Sequence, residues 1–324
     1  MTITEAVGAT GTRTGGHARQ TWLGGRFRLD ERISTAGGSG TRITSGESGT
    51  RITAGGISVW KATDELLCRP VTVHLLPAGV PVPPHVVQAV RSAARVSDPR
   101  LAAIYDTDFA AGRPYIVSEW APGTHLEDLV LSGLTHPALA AAMIADAADA
   151  LAVAHRARRP HLRLIPRSLR WDPGCGLKIT GLGLDAALYG AAVDPAAAGP
   201  VAADTTALAR MLYALLTGYW PGEEATALPP APRHKGQVCT PRQVRAGVPA
   251  VLDAITYRAL RGQAPDAPLR AQTPAGLAMA LRRVQRPSHR LDRPEDGPAP
   301  RRHPRHARAR ASFGHRTTLL RPAV

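Results

Sequence analysis

The order in which two hydrophobic patterns follow each other constrains the fold of this chain most strongly. Up to about residue 119 the sequence contains short strand-like segments, among them Arg26–Ile33, Pro70–Leu76 and Arg113–Glu119. From Pro137 onward, apolar residues recur every three to four positions, as they do along one face of a helix. A β-rich part followed by an α-rich part predicts an α+β protein with two lobes.

Single elements are also predicted. One helix, His85–Val96, interrupts the strand-like part. In the second part, helices are expected over Asp204–Thr217, Pro241–Arg261 and Thr273–Arg286, the last with Thr273 as its N-cap and proline at its first helical position. The spacing therefore predicts a mainly helical second lobe.

Composition divides the 324 residues into three zones. Residues 1–22 are rich in Gly and Thr and have no periodicity, which predicts a disordered N-terminus. Residues 23–285 carry the periodic patterns and are expected to fold. Residues 286–324 contain ten Arg against three acidic residues and much Pro, which predicts a disordered basic tail.

Composition also excludes several classes of protein. The three cysteines lie far apart in sequence, at Cys68, Cys175 and Cys239, so neither a disulfide framework nor a cysteine-rich zinc site is expected. The first residues lack the apolar core of a signal peptide, and the most apolar segments carry charges, so no transmembrane segment is expected. These features predict a cytoplasmic protein.

Four segments in a fixed order resemble one known family. They are Tyr115–Val130 (YIVSEWAPGTHLEDLV), Asp64–His74 (DELLCRPVTVH), Asp98–Asp106 (DPRLAAIYD) and Asp204–Gly218 (DTTALARMLYALLTG). Their order and spacing are similar to those of the bacterial eukaryotic-like Ser/Thr protein kinase domain. The resemblance implies the bilobal protein-kinase-like fold, with a β-rich N-lobe over about 23–118, which includes a loop at 37–56, and a helical C-lobe over about 122–285.

The residues that carry kinase chemistry are replaced at every matched position. A kinase uses a Lys on the nucleotide phosphates, a Glu that holds this Lys, a catalytic Asp with a nearby Lys and Asn, and a metal-binding Asp. The matching residues here are His74, Ala89, Arg163, Ile165, Ser168 and Gly181. Because Arg does not accept a proton and Gly does not bind Mg²⁺, the sequence predicts no catalytic base and no metal site. We therefore expect a pseudokinase that is not an enzyme and needs no cofactor.

Other family positions keep residues that the resemblance implies are structural. His161 and Leu182 match members of the apolar stack that joins the lobes, and Asp204 matches the carboxylate that braces the catalytic-loop backbone. The hinge matches Glu119, Trp120 and Ala121, where adenine contacts are made by backbone atoms. This hinge leaves open the binding of ATP without Mg²⁺.

A tandem repeat replaces the short glycine-rich loop of a kinase. The sequence SGTRIT occurs at residues 39–44 and again at 48–53. One interpretation is a duplication that gives an inert loop, and the other is a set of phosphorylation sites. The candidate phosphoacceptors are Thr41, Thr44, Thr50 and Thr53 in the repeat, with Thr317 and Thr318 in the tail.

The resemblance narrows to degenerate actinobacterial kinases associated with MviN-type lipid II flippases. It implies a regulatory or scaffold protein in the control of peptidoglycan precursors, located in the cytoplasm or at the inner face of the membrane. The implied partners are an active Ser/Thr kinase, a protein with a forkhead-associated domain, and the flippase. Two alternatives stay open: an atypical active Ser/Thr kinase or ATP-binding protein, and a binder of anionic lipid or nucleic acid through residues 286–324.

Overall fold

A six-stranded antiparallel sheet forms the first half of the protein. This computed structural model describes residues 21–35, 56–79, 81–108, 113–192, 199–261 and 272–285. Within the sheet the strands follow the order β1-β2-β3-β4-β6-β5. Their bounds are β1 Thr21–Leu23, β2 Phe27–Thr35, β3 Ser58–Asp64, β4 Arg69–Leu75, β5 Ile104–Asp108 and β6 Tyr115–Glu119.

Alternating side chains give this sheet two apolar faces. In β6, Tyr115 and Val117 join the cluster on one face, whereas Ile116 joins the cluster on the other. Helix α1, Pro84–Ala93, contributes buried Val86 and Val90 to the second cluster. The sheet therefore has one helix of its own, which faces the region where the two lobes meet.

The second half is helical, with two small sheets. β7 Thr124–His125, β8 Leu169–Asp172 and β9 Gly176–Ile179 form one sheet, and β10 Arg233–His234 pairs with β11 Gln237–Val238 in the other. The helices are α2 Leu126–Ser132, α3 Pro137–Arg156, α4 Leu184–Tyr189, α5 Pro200–Thr217, α6 Pro241–Val244, α7 Ala250–Arg261 and α8 Pro274–Gln285. A short 3-10 helix spans Pro166–Ser168.

Helix α3 is the centre of the helical half. Its buried positions are mostly alanines, which let neighbouring helices approach closely, and they include Ala140, Ala147 and Ala154. By length and composition α3 is the one described helix that could cross a membrane, and 61% of its most apolar window is buried inside the protein. Such burial is what a core helix shows.

The predicted α+β bilobal kinase-like fold is confirmed. Three predicted helices differ from those in the structure, and β1 begins at Thr21, inside the segment 1–22 that was predicted to be disordered. The helix predicted over Pro241–Arg261 is two helices, because the intervening segment contains Gly247 at φ +87° and a proline. Helix α5 begins at Pro200, four residues before the predicted start, because proline favours the first helical position. Helix α1 ends at Ala93 and not at Val96.

We expect Leu151→Ala to lower the free energy of unfolding by about 2–5 kcal/mol, because it opens a cavity in the core. Leu151 is fully buried on α3, whereas Leu139, on the same helix, is 37% exposed. Leu139→Ala is therefore the matched control, and we expect a loss below about 1 kcal/mol. Urea denaturation followed by circular dichroism measures both, and equal losses would contradict a core centred on α3.

Candidate functional site

The carboxylate of Asp204 holds the segment that matches the catalytic loop. Its Oδ2 atom accepts a hydrogen bond from the backbone N–H of His161 at 2.7 Å, and Oδ1 accepts one from the N–H of Leu162 at 2.8 Å. The Nε2 atom of His155 lies 2.8 Å from Oδ2. Leu162 has φ +62°, an uncommon value for a residue with a side chain, so these bonds hold a strained turn in place.

His161 connects this loop to the segment before Gly181. Its ring is fully buried, with Nε2 2.9 Å from the carbonyl oxygen of Thr180. The other ring nitrogen, Nδ1, accepts a hydrogen bond from the N–H of Arg163 at 3.3 Å. Leu182, 5% exposed, lies in the apolar core of the helical half.

Arg163 binds the end of helix α4. Its guanidinium donates to the carbonyl oxygens of Tyr189 at 3.1 Å and Gly190 at 2.9 Å, which are at the C-terminus of that helix. A cation is favourable there, because the last carbonyl groups have no partners in the helix. The side chain at the position of the catalytic Asp therefore fixes a helix.

The remaining catalytic-loop replacements have structural contacts. The Ser168 hydroxyl is buried, donates to the carbonyl of Arg163 at 3.3 Å and accepts from the N–H of Ile165 at 3.3 Å. It closes the turn that these residues form. Ser168 therefore has little capacity left to bind a ligand.

His74 lies buried on β4, at the position of the phosphate-binding Lys. Its Nδ1 atom is inaccessible to solvent and has no hydrogen-bond partner among the residues that the structure describes. Burial lowers the pKa of His74 below its usual value, and the charge of Asp185 acts in the opposite direction. Ala89 on α1 supplies no carboxylate, so the acidic group that acts on His74 comes from α4.

Asp185 lies where a side chain at position 181 would have to go. Gly181 has φ +77°, and a Cβ atom built there would lie 2.0 Å from Asp185 Oδ2. The backbone N–H of Asp185 donates to the carbonyl of Gly181 at 3.0 Å. In a kinase, position 181 would carry the metal-binding Asp, as the resemblance implies. The turn thus places the carboxylate of Asp185 beside this position, where Gly181 provides none. Asp185 was not predicted from the sequence, although its spacing of four residues from Gly181 was a usable signal.

Helix α4 presents Asp185 because it packs on the sheet half. Leu184 and Leu188 are each 1% exposed and join the cluster that contains Val86 and Val90 of α1. The Nε2 atom of His85 lies 3.2 Å from the carbonyl oxygen of Ala187. These contacts fix the helix against α1 and hold the Asp185 carboxylate near His74.

The hinge residues lie between the two halves. The Glu119 carboxylate accepts from the N–H of Ala103 and forms an ion pair with Lys178, and its backbone carbonyl accepts a 3.4 Å hydrogen bond from the Thr72 hydroxyl. Ala121 is buried. The ammonium of Lys61 and the guanidinium of Arg170, which sequence analysis did not identify, lie 5.1 Å and 5.0 Å from the centre of the Trp120 ring.

Several predicted sites lie outside the described residues. They are residues 1–20 of the N-terminus that was predicted to be disordered, the repeat at 39–53, the basic tail at 286–324, and the candidate phosphoacceptors Thr41, Thr44, Thr50, Thr53, Thr317 and Thr318. Among the residues that the structure describes, no group of three or more His, Cys, Asp or Glu side chains could hold a metal ion.

We expect Gly181→Ala to destabilise the protein more than Gly190→Ala. Gly190 also has a positive φ, +84°, but a Cβ atom there would meet nothing within 4 Å. Gly190→Ala therefore tests backbone strain alone, about 1–3 kcal/mol. At Gly181 the clash with Asp185 adds about 1–3 kcal/mol. Combining Gly181→Ala with Asp185→Ala should remove this excess in urea denaturation, and an excess that persists would contradict the placement of Asp185.

We expect protonation of His74 to oppose folding. Its pKa is lowered by burial, so the unfolded chain takes up this proton at a higher pH than the folded protein does. Its contribution to stability is therefore lost as the pH falls below about 6.5. His74→Leu should reduce the drop in unfolding free energy between about pH 7 and pH 5, whereas His234→Leu, at an exposed position, should leave it unchanged. Equal drops in all three proteins would contradict this environment for His74.

Comparisons with known proteins relate the chain to bacterial kinases. It is 31% identical over 260 residues to the serine/threonine-protein kinase PknB of Mycobacterium tuberculosis, and 30% identical over 259 residues to PknB of Mycobacterium leprae. Each alignment covers 71% of this chain and 41% of the relative, so the chain spans less than half of those proteins. No known family profile matches the chain.

Solved structures show the same fold. The crystal structure of the Mycobacterium tuberculosis PknI kinase domain matches with a TM-score of 0.52 and 16% identity, and covers 87% of this chain and 99% of that domain. A second PknI structure, of a double mutant, gives a TM-score of 0.51 at 17% identity. At such identities the match shows the fold alone.

These relatives contradict the expectation that the chain is not an enzyme, because the curated proteins to which it is similar are Ser/Thr protein kinases. That expectation rested on a comparison of aligned positions, and it missed Asp185, which lies beside Gly181 in space and four residues away in sequence. The chain is homologous to bacterial Ser/Thr protein kinases and has their bilobal kinase fold.

Proposed function

We propose that this chain is an atypical Ser/Thr protein kinase domain that binds ATP between its lobes, with Asp185 as the acidic group of the site. The observation that carries this proposal is the contact between Gly181 and Asp185, in which the carboxylate fills the space beside position 181. Phosphoryl transfer depends mainly on positioning and on compensation of phosphate charge, so a carboxylate supplied from α4 would serve the same purpose as one at position 181.

The residues present fit a Mg²⁺ ion that arrives with ATP. Proteins commonly hold Mg²⁺ through one or two carboxylates, the remaining positions being filled by substrate phosphates and water. Asp185 would supply that one carboxylate. When bound, the ion supplies positive charge that neutralises the nucleotide phosphates. The described residues offer no larger cage of acidic ligands, so we expect the protein to bind no Mg²⁺ tightly without nucleotide.

His74 would contact the phosphates of the nucleotide, and the hinge would contact the adenine. A buried neutral imidazole donates a single hydrogen bond, and it carries no charge to attract phosphate as a Lys does. We therefore expect weak nucleotide affinity. At the hinge, backbone groups of Glu119 and Ala121 would contact the adenine, although the Thr72 hydroxyl already bonds to the Glu119 carbonyl at 3.4 Å.

Transfer is expected to be slow, because Arg163 replaces the base. Losing a general base commonly costs a factor of about 100 to 10,000 in rate. Arg163 would act instead by holding α4, through its bonds to Tyr189 and Gly190, and so would keep Asp185 in position. Regulation by a second kinase, and partners that read phosphothreonine, are extensions of this proposal that concern Thr residues outside the described part of the chain.

We expect ATP with Mg²⁺ to raise the melting temperature and Asp185→Asn to remove this increase. Ligand at about 100 times its Kd would add about 2.7 kcal/mol to the stability of the folded state. Glu223→Gln is the control, since that side chain is 89% exposed. Transfer of radiolabelled phosphate to the protein or to a peptide should fall about 100-fold or more in Asp185→Asn.

Two outcomes would contradict the proposed function. One is a melting temperature that does not respond to ATP, with or without Mg²⁺. The other is an Asp185→Asn protein that binds nucleotide and transfers phosphate as the unchanged protein does.

A further inference from the structure

Two cations share one aromatic ring at the hinge. Lys61 comes from β3 in the sheet half, and Arg170 comes from β8 in the helical half. Their charged groups lie 5.1 Å and 5.0 Å from the centre of the Trp120 ring. Attraction to an aromatic ring partly stabilises a cation, but it does not neutralise the charge. The place where the two halves meet at the hinge therefore carries two positive charges.

Neither cation forms an ion pair with any residue that the structure describes. Arg170 donates to the carbonyl of Gly123 at 2.6 Å and lies 3.0 Å from the Nε2 atom of His125. Its Nε atom is inaccessible to solvent and has no acceptor among the described residues, so a ligand can reach only the terminal nitrogens of this guanidinium. In the described part of the chain, the Lys61 ammonium contacts the Trp120 ring and forms no hydrogen bond.

The neighbouring carboxylates do not form an ion pair with either cation. Glu31 lies opposite Lys61 in the register of β2 and β3, but no ion pair joins them. Glu119 bonds to Lys178 and to the N–H of Ala103. Asp128 lies 3.9 Å from Arg167, although its charge also acts on Arg170. Within the described residues, both cations on the Trp120 ring are therefore without a carboxylate partner, and a ligand with negative charge would provide one.

We propose that Lys61, Trp120 and Arg170 form a docking site for an acidic peptide segment. A Glu or Asp carboxylate matches the forked terminal donors of a guanidinium and is attracted by the ammonium as well. Lys61 and Arg170 are both partly exposed, so the side chains of an extended peptide on the surface can reach them. A role of this site in selecting the protein to be phosphorylated rests on the proposed function. Binding of the peptide itself does not depend on the proposed function.

The test is binding of a fluorescently labelled, Glu-rich peptide to the full chain, measured by anisotropy without nucleotide. Lys61→Gln and Arg170→Gln should each weaken binding about tenfold, the usual effect of one charge-assisted hydrogen bond. Arg32→Gln is the matched control, because Arg32 lies 6.0 Å from the centre of another Trp ring, that of Trp60. We expect Arg32→Gln to bind as the unchanged protein does, and a peptide with Gln in place of Glu to bind at least tenfold more weakly.

Several results would overturn the proposal. One is equal affinity for the Glu and Gln peptides, and another is full affinity for the Glu peptide in both Lys61→Gln and Arg170→Gln. The others are displacement of the peptide by ATP, and binding of single-stranded poly(U) that is tighter than that of the peptide and depends on the same two residues. Lys61→Gln keeps the test decisive if Arg170→Gln does not fold, since the Lys61 side chain forms no hydrogen bond with the described residues. Asp185→Asn should bind the peptide normally, so failure of the proposed nucleotide site can be distinguished from failure of the docking site.

Discussion

The buried carboxylate of Asp204 is the interaction on which the arrangement between the lobes depends. It is 1% exposed and bonds to two consecutive backbone N–H groups, with the His155 ring against the same oxygen. A buried charge is tolerated only when donors surround it, and here these donors belong to the 161–162 turn. Helix α5 therefore determines where that turn lies, and the positive φ of Leu162 is maintained by the same contacts.

From this turn the contacts extend to both sides of the site. His161 bonds to the carbonyl of Thr180, directly before Gly181, and Arg163 binds the end of α4. Helix α4 in turn packs on α1 and places Asp185 beside Gly181. A carboxylate on a helix held at both ends has fewer conformations to lose than one on a free loop, and such preorganisation is what an electrostatic site requires.

Sequence alone predicted the order of the lobes, because strand and helix periodicities are local and strong here. The family resemblance also singled out His161 and Asp204, which are 43 residues apart along the chain and are joined by a hydrogen bond. It did not predict α4, which has six residues and follows two glycines with positive φ, so its pattern is too short to be recognised. Asp185 was missed for the same reason. The pairing of Lys61 with Arg170 around Trp120 depends on how the halves meet, which no local pattern encodes.

The alanine-rich face of α3 has a consequence for how this core tolerates change. Where side chains end at Cβ, the spacing between helices is already close to its minimum, and neighbouring side chains have little room to rearrange. A core of this kind is more sensitive to added volume than to removed volume, because a larger residue would push whole helices apart. Natural variation along this face should therefore be confined to Gly, Ala and Ser, while aliphatic exchanges are tolerated in the sheet half.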